Sequence, residues 1–185
     1  VIVAATRWAH SHRPDARILD LGTGTGCLLL ACLAELPQAT GVGIDISTEA
    51  VTVATANADR HGLGGRARFC LADFAADLTG HGQFDLILSN PPYIPTADIE
   101  ALDADVRHFD PLAALDGGLD GLDCWRILCP QIAVLLADEG AAFVEIGFGQ
   151  GRAVARLGTT STLQLAGSFA DLSGHERCLQ FEKEI

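Results

Sequence analysis

The residues best suited to chemistry form the tetrapeptide Asn90-Pro91-Pro92-Tyr93, which follows an apolar run at residues 84–89. A run of this length predicts a strand that is buried on both faces. Two successive prolines cannot continue that strand, because proline has no N–H and its φ is fixed near about −65°. The turn therefore places a side-chain amide and an aromatic ring at a strand end, which is where ligands bind in open parallel sheets.

A glycine-rich loop at residues 22–26 is the second candidate, between a predicted strand and a predicted apolar helix. Glycines at a helix N-terminus let a ligand approach the backbone, where the helix dipole favours an anionic group. The third glycine comes one residue too early for the dinucleotide pattern GxGxxG. Asp20 would also repel a pyrophosphate, but it can face an ammonium group, so the loop suits the zwitterionic end of an amino acid. The predicted binding residues of the loop are Asp20, Gly22, Thr23, Gly24 and Gly26.

Acidic residues also end the next two predicted strands. Asp45 comes 19 residues after Gly26, a position that suits hydrogen bonds from ribose hydroxyls, and we assign the adjacent Ile46 to the same site. Asp73 can accept a hydrogen bond from an adenine amino group, with Phe74 against the ring. An amino acid, a ribose and an adenine without phosphate together describe S-adenosylmethionine, which we predict as the cofactor.

Composition limits the classes of protein that remain. The chain has 185 residues, of which 49% are hydrophobic, and this predicts one globular domain with its own core. The net charge of −12 argues against a nucleic-acid partner, because non-specific binding to nucleic acid needs a basic face. Neither a membrane-spanning run nor a secretion signal is visible, and the six cysteines lack zinc-ligand spacing. We therefore expect a cytoplasmic protein without a metal site or a membrane partner.

The order of the predicted elements indicates a doubly wound α/β fold, because strands alternate with helices. We predict seven strands in a mostly parallel sheet that ends in a C-terminal antiparallel hairpin. The predicted strands are residues 17–21, 41–46, 67–71, 84–89, 141–146, 163–169 and 177–181. The predicted helices are the end of one at 1–13, then 27–34, one capped by Ser47 or Thr48, one at 120–138 kinked at Pro130, and 152–157. The irregular segment 96–118 is predicted to cover the substrate.

Several motifs resemble one family of enzymes. Asp20-Leu21-Gly22-Thr23-Gly24-Thr25-Gly26 resembles motif I of class I methyltransferases. Asn90-Pro91-Pro92-Tyr93 resembles a motif shared by amino-methylating DNA enzymes and by protein-glutamine methyltransferases of the HemK/PrmC type. Further segments resemble the second group: Tyr93-Ile94-Pro95, Asp110-Pro111, Ala114-Leu115-Asp116-Gly117-Gly118, Asp120-Gly121-Leu122, Glu145-Ile146-Gly147 with Gln150, and Asp171-Leu172-Ser173-Gly174 with Arg177. The resemblance covers about residues 16–181 and is far more specific than the tetrapeptide alone.

The resemblance implies a Rossmann-like class I methyltransferase that yields S-adenosylhomocysteine. Its substrate would be the glutamine of the Gly-Gly-Gln motif in peptide chain release factors, so a release factor is the expected partner. Asn90 and the Pro91 carbonyl would accept the amide hydrogens, and Asn90 would also bind the cofactor. Tyr93 would pack on the amide plane as the third catalytic residue, and Pro92 would complete the substrate site. Residues 14–185 would be the catalytic domain, and 1–13 the remnant of a segment that joins an N-terminal helical domain.

Other functions stay open at this point. The tetrapeptide also fits methylation of an exocyclic amine of a nucleic-acid base. The loop and the acidic strand ends alone fit a non-catalytic module that binds S-adenosylmethionine. An oxidoreductase is disfavoured, because Cys27 occupies the position of the third fingerprint glycine.

Overall fold

The computed structural model of the protein describes residues 1–102 and 111–184, and within them seven strands form one sheet. The strands are β1 (Arg17–Leu21), β2 (Thr40–Asp45), β3 (Ala67–Leu71), β4 (Phe84–Ser89), β5 (Leu136–Glu145), β6 (Leu163–Ala170) and β7 (Glu176–Lys183). Their order across the sheet is β3-β2-β1-β4-β5-β7-β6. Strands β1 to β5 pair in parallel, and β7 runs antiparallel to both β5 and β6. The predicted doubly wound fold with a terminal hairpin is confirmed.

Five helices in the same part of the chain cover the sheet. They are α1 (Ile2–His12), α2 (Cys27–Glu35), α3 (Thr48–Arg60), α4 (Asp123–Leu135) and α5 (Gly151–Thr160). The side chain of Ser47 caps α3 by accepting a hydrogen bond from the Ala50 N–H at 3.2 Å. Of the two predicted cap residues, Ser47 and Thr48, the structure therefore selects Ser47. None of the described helices is both long enough and apolar enough to cross a membrane.

The core has two layers, because successive side chains of a strand point to opposite faces of the sheet. On β4, Ile87 packs in the layer with α4 and α5. Leu86 and Leu88 pack in the other layer, which includes α1 and α2. Burial on both faces explains why the central strands are continuous apolar runs rather than alternating ones.

The structure corrects two predictions. Helix α4 begins at Asp123 and ends at Leu135, rather than running over residues 120–138. Leu136 is already extended, with φ −72° and ψ 134°, and β5 starts there instead of at residue 141. Leu136 pairs with Phe84 before a register shift, which adds the early part of β5 to the sheet.

The segment 96–118 is only partly irregular. Short 3-10 helices occupy Thr96–Ala101 and Leu112–Ala114. Residues 103–110 lie outside the described residues, and these include Asp110 of the motif Asp110-Pro111. The substrate-covering role of this segment stays a prediction.

Candidate active site

The predicted site residues meet at one edge of the sheet, where the parallel strands end. The register pairs Leu21 of β1 with Ile44 of β2 and with Ser89 of β4. It also pairs Asp45 with Leu71 at the end of β3. The four polar residues that the sequence places at successive strand ends therefore lie along a single edge, and they are Asp20, Asp45, Asp73 and Asn90.

The glycine loop is held by β2 and is open toward the strand-end edge. The N–H groups of Gly22 and Thr23 both donate to the Ile44 carbonyl, at 3.0 and 2.9 Å. A Cβ added at Gly24 would meet no described atom within 4 Å, whereas one at Gly26 would lie 3.1 Å from the Phe69 ring. A side chain at Gly26 would thus crowd the Phe69 ring, whereas Gly24 leaves space in which a ligand can approach the backbone.

Asp20 is a carboxylate that is buried near the end of β1. Its side chain is 1% exposed, and the Thr23 hydroxyl donates to Oδ2 at 2.7 Å. Within residues 1–102 and 111–184, Oδ1 has no hydrogen-bond partner. Burial raises the pKa of Asp20 from 3.8 to about 6, and the negative charge of Asp45 adds to this shift. The Thr23 hydroxyl and the backbone N–H of Leu29 oppose it. A buried carboxylate oxygen without a partner is costly, so this site suits a cationic group.

Asp45 connects the second strand to the glycine loop. One carboxylate oxygen accepts from the Gly24 N–H at 2.8 Å, and the other accepts from the Ser47 N–H at 2.9 Å. Each oxygen keeps a second lone pair, so the carboxylate can still accept from two hydroxyls. The adjacent Ile46 is 69% exposed and offers an apolar surface at the same strand end.

Asp73 and Phe74 occupy the end of β3. Asp73 is exposed, and its Oδ1 accepts a hydrogen bond from the Ala75 N–H at 2.8 Å. Phe74 is half-buried against the core, and its ring lies 4.0 Å from the position of a Cβ on Gly22. Phe74 therefore lies beside the loop, while the contacts of both residues with an adenine stay a prediction.

The Asn90 turn lies directly beside the glycine loop. The buried Ser89 hydroxyl donates to the Leu21 carbonyl at 2.8 Å, although the two residues are 68 positions apart. Asn90 and Gly22 are the next residues of these two paired strands. The Asn90 side chain is exposed, Pro91 is buried, and Pro92 and Tyr93 are half-buried. An exposed amide on a rigid turn is thus held next to the proposed ligand site.

Gln150 holds the Tyr93 end of the turn in place. Its Nε2 donates to the carbonyls of Tyr93 and Gly121, at 2.9 and 3.1 Å. Its Oε1 accepts from the Gly147 N–H at 2.9 Å. One side-chain amide thus joins three separate segments of the chain. The sequence marked Gln150 only through the family resemblance, because its partners are far away along the chain.

Two groups of opposite charge act on the Tyr93 phenol. Burial raises the pKa of Tyr93, the Glu145 carboxylate raises it further, and Arg177 opposes both. The phenol is therefore neutral at physiological pH. A neutral, half-buried ring beside Asn90 can pack on a planar group that reaches the turn.

A family model described as a methyltransferase domain matches residues 12–120, which is more than half of the chain. The chain belongs to the methyltransferase-domain family. In this methyltransferase domain the matched region contains the glycine loop, the three acidic strand ends and the Asn90 turn. The predicted class of enzyme agrees with the match.

Curated relatives agree with the more specific resemblance. The release factor glutamine methyltransferase of Rhodospirillum rubrum is 56% identical over 163 residues, which is 88% of this chain and 50% of that protein. The protein of the same name from Agrobacterium fabrum is 41% identical, over 98% of this chain and 62% of that protein. These relatives confirm the predicted resemblance to release factor glutamine methyltransferases. This methyltransferase domain spans half to about three fifths of their length.

The fold is also found in a solved structure. The ribosomal protein L11 methylase from Lactobacillus delbrueckii subsp. bulgaricus superposes with a TM-score of 0.71. The match covers 100% of this methyltransferase domain and 79% of that chain, at 19% sequence identity. At this identity the likeness concerns the fold alone.

Proposed function

We propose that this domain transfers a methyl group from S-adenosylmethionine to the side-chain amide nitrogen of a glutamine in a peptide chain release factor. The observation that carries the proposal is the position of Asn90 next to the glycine loop, set by the bond from Ser89 to Leu21. This position brings the motif Asn90-Pro91-Pro92-Tyr93 to the edge of the sheet where the methyl donor is expected. The curated relatives, named release factor glutamine methyltransferases, support the choice of acceptor.

The residues present fit the cofactor. Gly24 leaves open space at the loop, and the free Oδ1 of Asp20 suits the ammonium group of the methionine end. The remaining lone pairs of Asp45 suit the ribose hydroxyls, and we place the adenine near Asp73 and Phe74. When bound, the cofactor supplies a methyl group that is activated by its sulfonium sulfur.

The acceptor needs orientation more than activation. An amide nitrogen is a weak nucleophile, because its lone pair is delocalised into the carbonyl. In our proposal the side-chain oxygen of Asn90 and the carbonyl of Pro91 accept the two amide hydrogens, and Tyr93 packs on the amide plane. Positioning of this kind can contribute about 7–11 kcal/mol to lowering the barrier.

The bond changes balance without a general base before attack. A nitrogen–carbon bond forms as the sulfur–carbon bond breaks, and S-adenosylhomocysteine leaves as a neutral thioether. The methylated amide then loses one proton to solvent. Residues 14–185 would supply this chemistry as the catalytic domain, and residues 1–13 would lead into it from a helical substrate-recognition domain.

The direct experiment uses S-adenosylmethionine with a labelled methyl group and a purified release factor. We expect label on the wild-type factor and none on a factor whose Gly-Gly-Gln glutamine is replaced by alanine. Label that persists on the alanine factor would refute glutamine as the acceptor. Label on DNA or RNA instead would favour methylation of a base amine.

A pair of variants separates catalysis from cofactor binding. Asn90→Ala should abolish transfer while its affinity for S-adenosylmethionine stays within about threefold of the wild type, because the loop contacts remain. Gln38→Ala is the matched control, since it removes an exposed amide in the turn between α2 and β2, at the opposite edge of the sheet. Full activity of Asn90→Ala would refute the proposed role and would favour a different acceptor site.

A further inference from the structure

A groove beside the Asn90 turn is not used by the chemistry described above. It has a volume of about 290 Å³ and lies between Tyr93, Ile94 and Pro95 on one side and residues 147–150 on the other. Asp98 and Asp120 complete its lining. We refer to it as the Tyr93 groove, because Tyr93 belongs both to this groove and to the proposed substrate site. A chain that placed its glutamine on Tyr93 would continue through or beside it.

An exposed aromatic ring forms part of one wall. Phe148 is 74% exposed, and the His175 ring packs against it edge to face with centroids 5.0 Å apart. The contact leaves most of the Phe148 surface in solvent. A large apolar ring that is held by one neighbouring ring and is otherwise mostly exposed is suited to contact a partner.

The lining of the groove carries an excess of negative charge. The described lining residues include two carboxylates and no lysine or arginine. Asp120 is already paired with Arg126, whose guanidinium donates to both carboxylate oxygens at 2.9 and 2.6 Å. Asp98 is exposed and forms no salt bridge with another described residue, so it is the carboxylate of the lining that can attract a cation.

The walls are held by backbone hydrogen bonds. The Asp98 N–H donates to the Pro95 carbonyl at 2.8 Å, and the Thr96 N–H donates to the Gly118 carbonyl at 2.9 Å. On the other side, Gln150 ties Gly147 to the Tyr93 carbonyl. The backbone position of Asp98 relative to Tyr93 is therefore set by the fold, which limits where its carboxylate can reach.

We propose that the Tyr93 groove binds the polypeptide segment next to the methylated glutamine and selects a lysine or arginine there, through Asp98 and the Phe148 ring. The inference rests on the proposed function, since it names the sequence context of that same acceptor. The volume is at the lower end of the roughly 300–1,000 Å³ of small-molecule pockets, so it suits one or two side chains. A cation over an aromatic face adds to its attraction by carboxylates.

The test uses synthetic Gly-Gly-Gln peptides in which one lysine is moved through four positions on each side of the glutamine. Matched peptides carry norleucine or glutamate at the same position. KM and kcat for methyl transfer are measured with the wild-type protein. At one position the lysine peptide should have a KM about five- to tenfold below that of the glutamate peptide, with a smaller change in kcat.

Charge reversal makes the assignment specific. Asp98→Lys should invert the preference, so that the glutamate peptide has the lower KM at that position. Glu35→Lys changes the net charge equally at an exposed position on the last turn of α2, near the opposite edge of the sheet, and it should keep the wild-type preference. Phe148→Ala should raise KM for the lysine peptide more than for the norleucine peptide.

The outcomes separate this inference from the proposed function. Peptides that are methylated with the same KM whatever the flanking charge would overturn the groove and leave glutamine methylation standing. If no peptide were methylated, the proposed function would fail for peptide substrates. Fluorescence anisotropy of labelled peptides would then decide whether the groove binds the flanking segment. Tighter binding of the lysine peptide to the wild type than to Asp98→Lys would support it, and equal binding would overturn it.

Discussion

Asp20 should make cofactor binding depend on pH, and the structure sets both the midpoint and the size of the effect. The carboxyl group is buried, and burial raises its pKa from 3.8 to about 6. The proposed ammonium partner binds the ionised form, so below about pH 6 the bound proton must leave first. At pH 5 the affinity for S-adenosylmethionine should be about tenfold weaker than at pH 7.5.

The same shift predicts a proton released on binding. At pH 5.5, about three quarters of the cofactor-free protein carries the proton on Asp20, and the ammonium pair removes it. Isothermal titration calorimetry in two buffers of different ionisation enthalpy should therefore report about 0.8 proton released at pH 5.5 and close to zero at pH 7.5.

The stability of the cofactor-free protein should decrease as the pH rises, whereas its affinity for the cofactor should increase. The folded pKa of Asp20 lies above its unfolded value, so its contribution to stability is complete below about pH 4 and is lost as the pH rises through about 6. Between pH 4.5 and 7.5, the free energy of unfolding of the wild type relative to Asp20→Asn should fall by about 2 kcal/mol. Urea unfolding at several pH values measures this difference.

A matched variant gives the control. Asp15→Asn removes an exposed carboxylate in the turn between α1 and β1, and it should keep the pH profile of the wild type in both assays. Asp20→Asn should bind more weakly and without the pH dependence. Cofactor affinity that is constant from pH 5 to 7.5 in the wild type, or the same pH profile in Asp20→Asn, would refute the assignment of Asp20 to the ammonium group.

Two further predictions concern the loop and the turn. Gly26→Ala should lower the free energy of unfolding by about 1–2 kcal/mol more than Gly62→Ala in urea denaturation. Both glycines have positive φ, 83° and 69°. A Cβ at Gly26 would lie 3.1 Å from Phe69, whereas one at Gly62 would meet no described atom within 4 Å. Equal losses of stability in the two variants would contradict the packing role of Gly26. Gln150→Ala should lower kcat about tenfold or more, with unchanged affinity for S-adenosylmethionine, because the Tyr93 carbonyl loses its donor while the glycine loop is untouched. Gln150→Glu should not restore kcat, since a carboxylate cannot donate to that carbonyl, and a parallel loss of cofactor affinity would show a general structural defect instead.

Much of the sheet could be predicted from the sequence, because its signals are local. The strands β1, β3 and β4 were predicted with the bounds that the structure shows. Each is an apolar or alternating run stopped by residues that cannot continue it, such as the prolines after Ser89. The start of β5 was missed, because the apolar residues around Leu135 and Leu136 fit a helix as well as a buried strand.

The types of the site residues were likewise visible in the sequence. Acidic residues at three strand ends, a glycine loop and the Asn90 turn predicted a methyl-transfer site, and the family match agrees with that class. Their individual contacts with cofactor and substrate stay predictions. What sequence spacing could not supply was the role of Gln150, whose carbonyl partners are 57 and 29 positions away.

The sequence by itself determined which elements form and which chemical groups stand at their ends, since turn chemistry and apolar runs act over a few residues. Only the tertiary structure decided that Asn90 lies beside the glycine loop, because this depends on pairing between β1 and β4 across 68 positions. Only the tertiary structure buried Asp20 and raised its pKa, because removal from water depends on every segment that packs around it. The Tyr93 groove has the same origin, since its two walls come from distant parts of the chain.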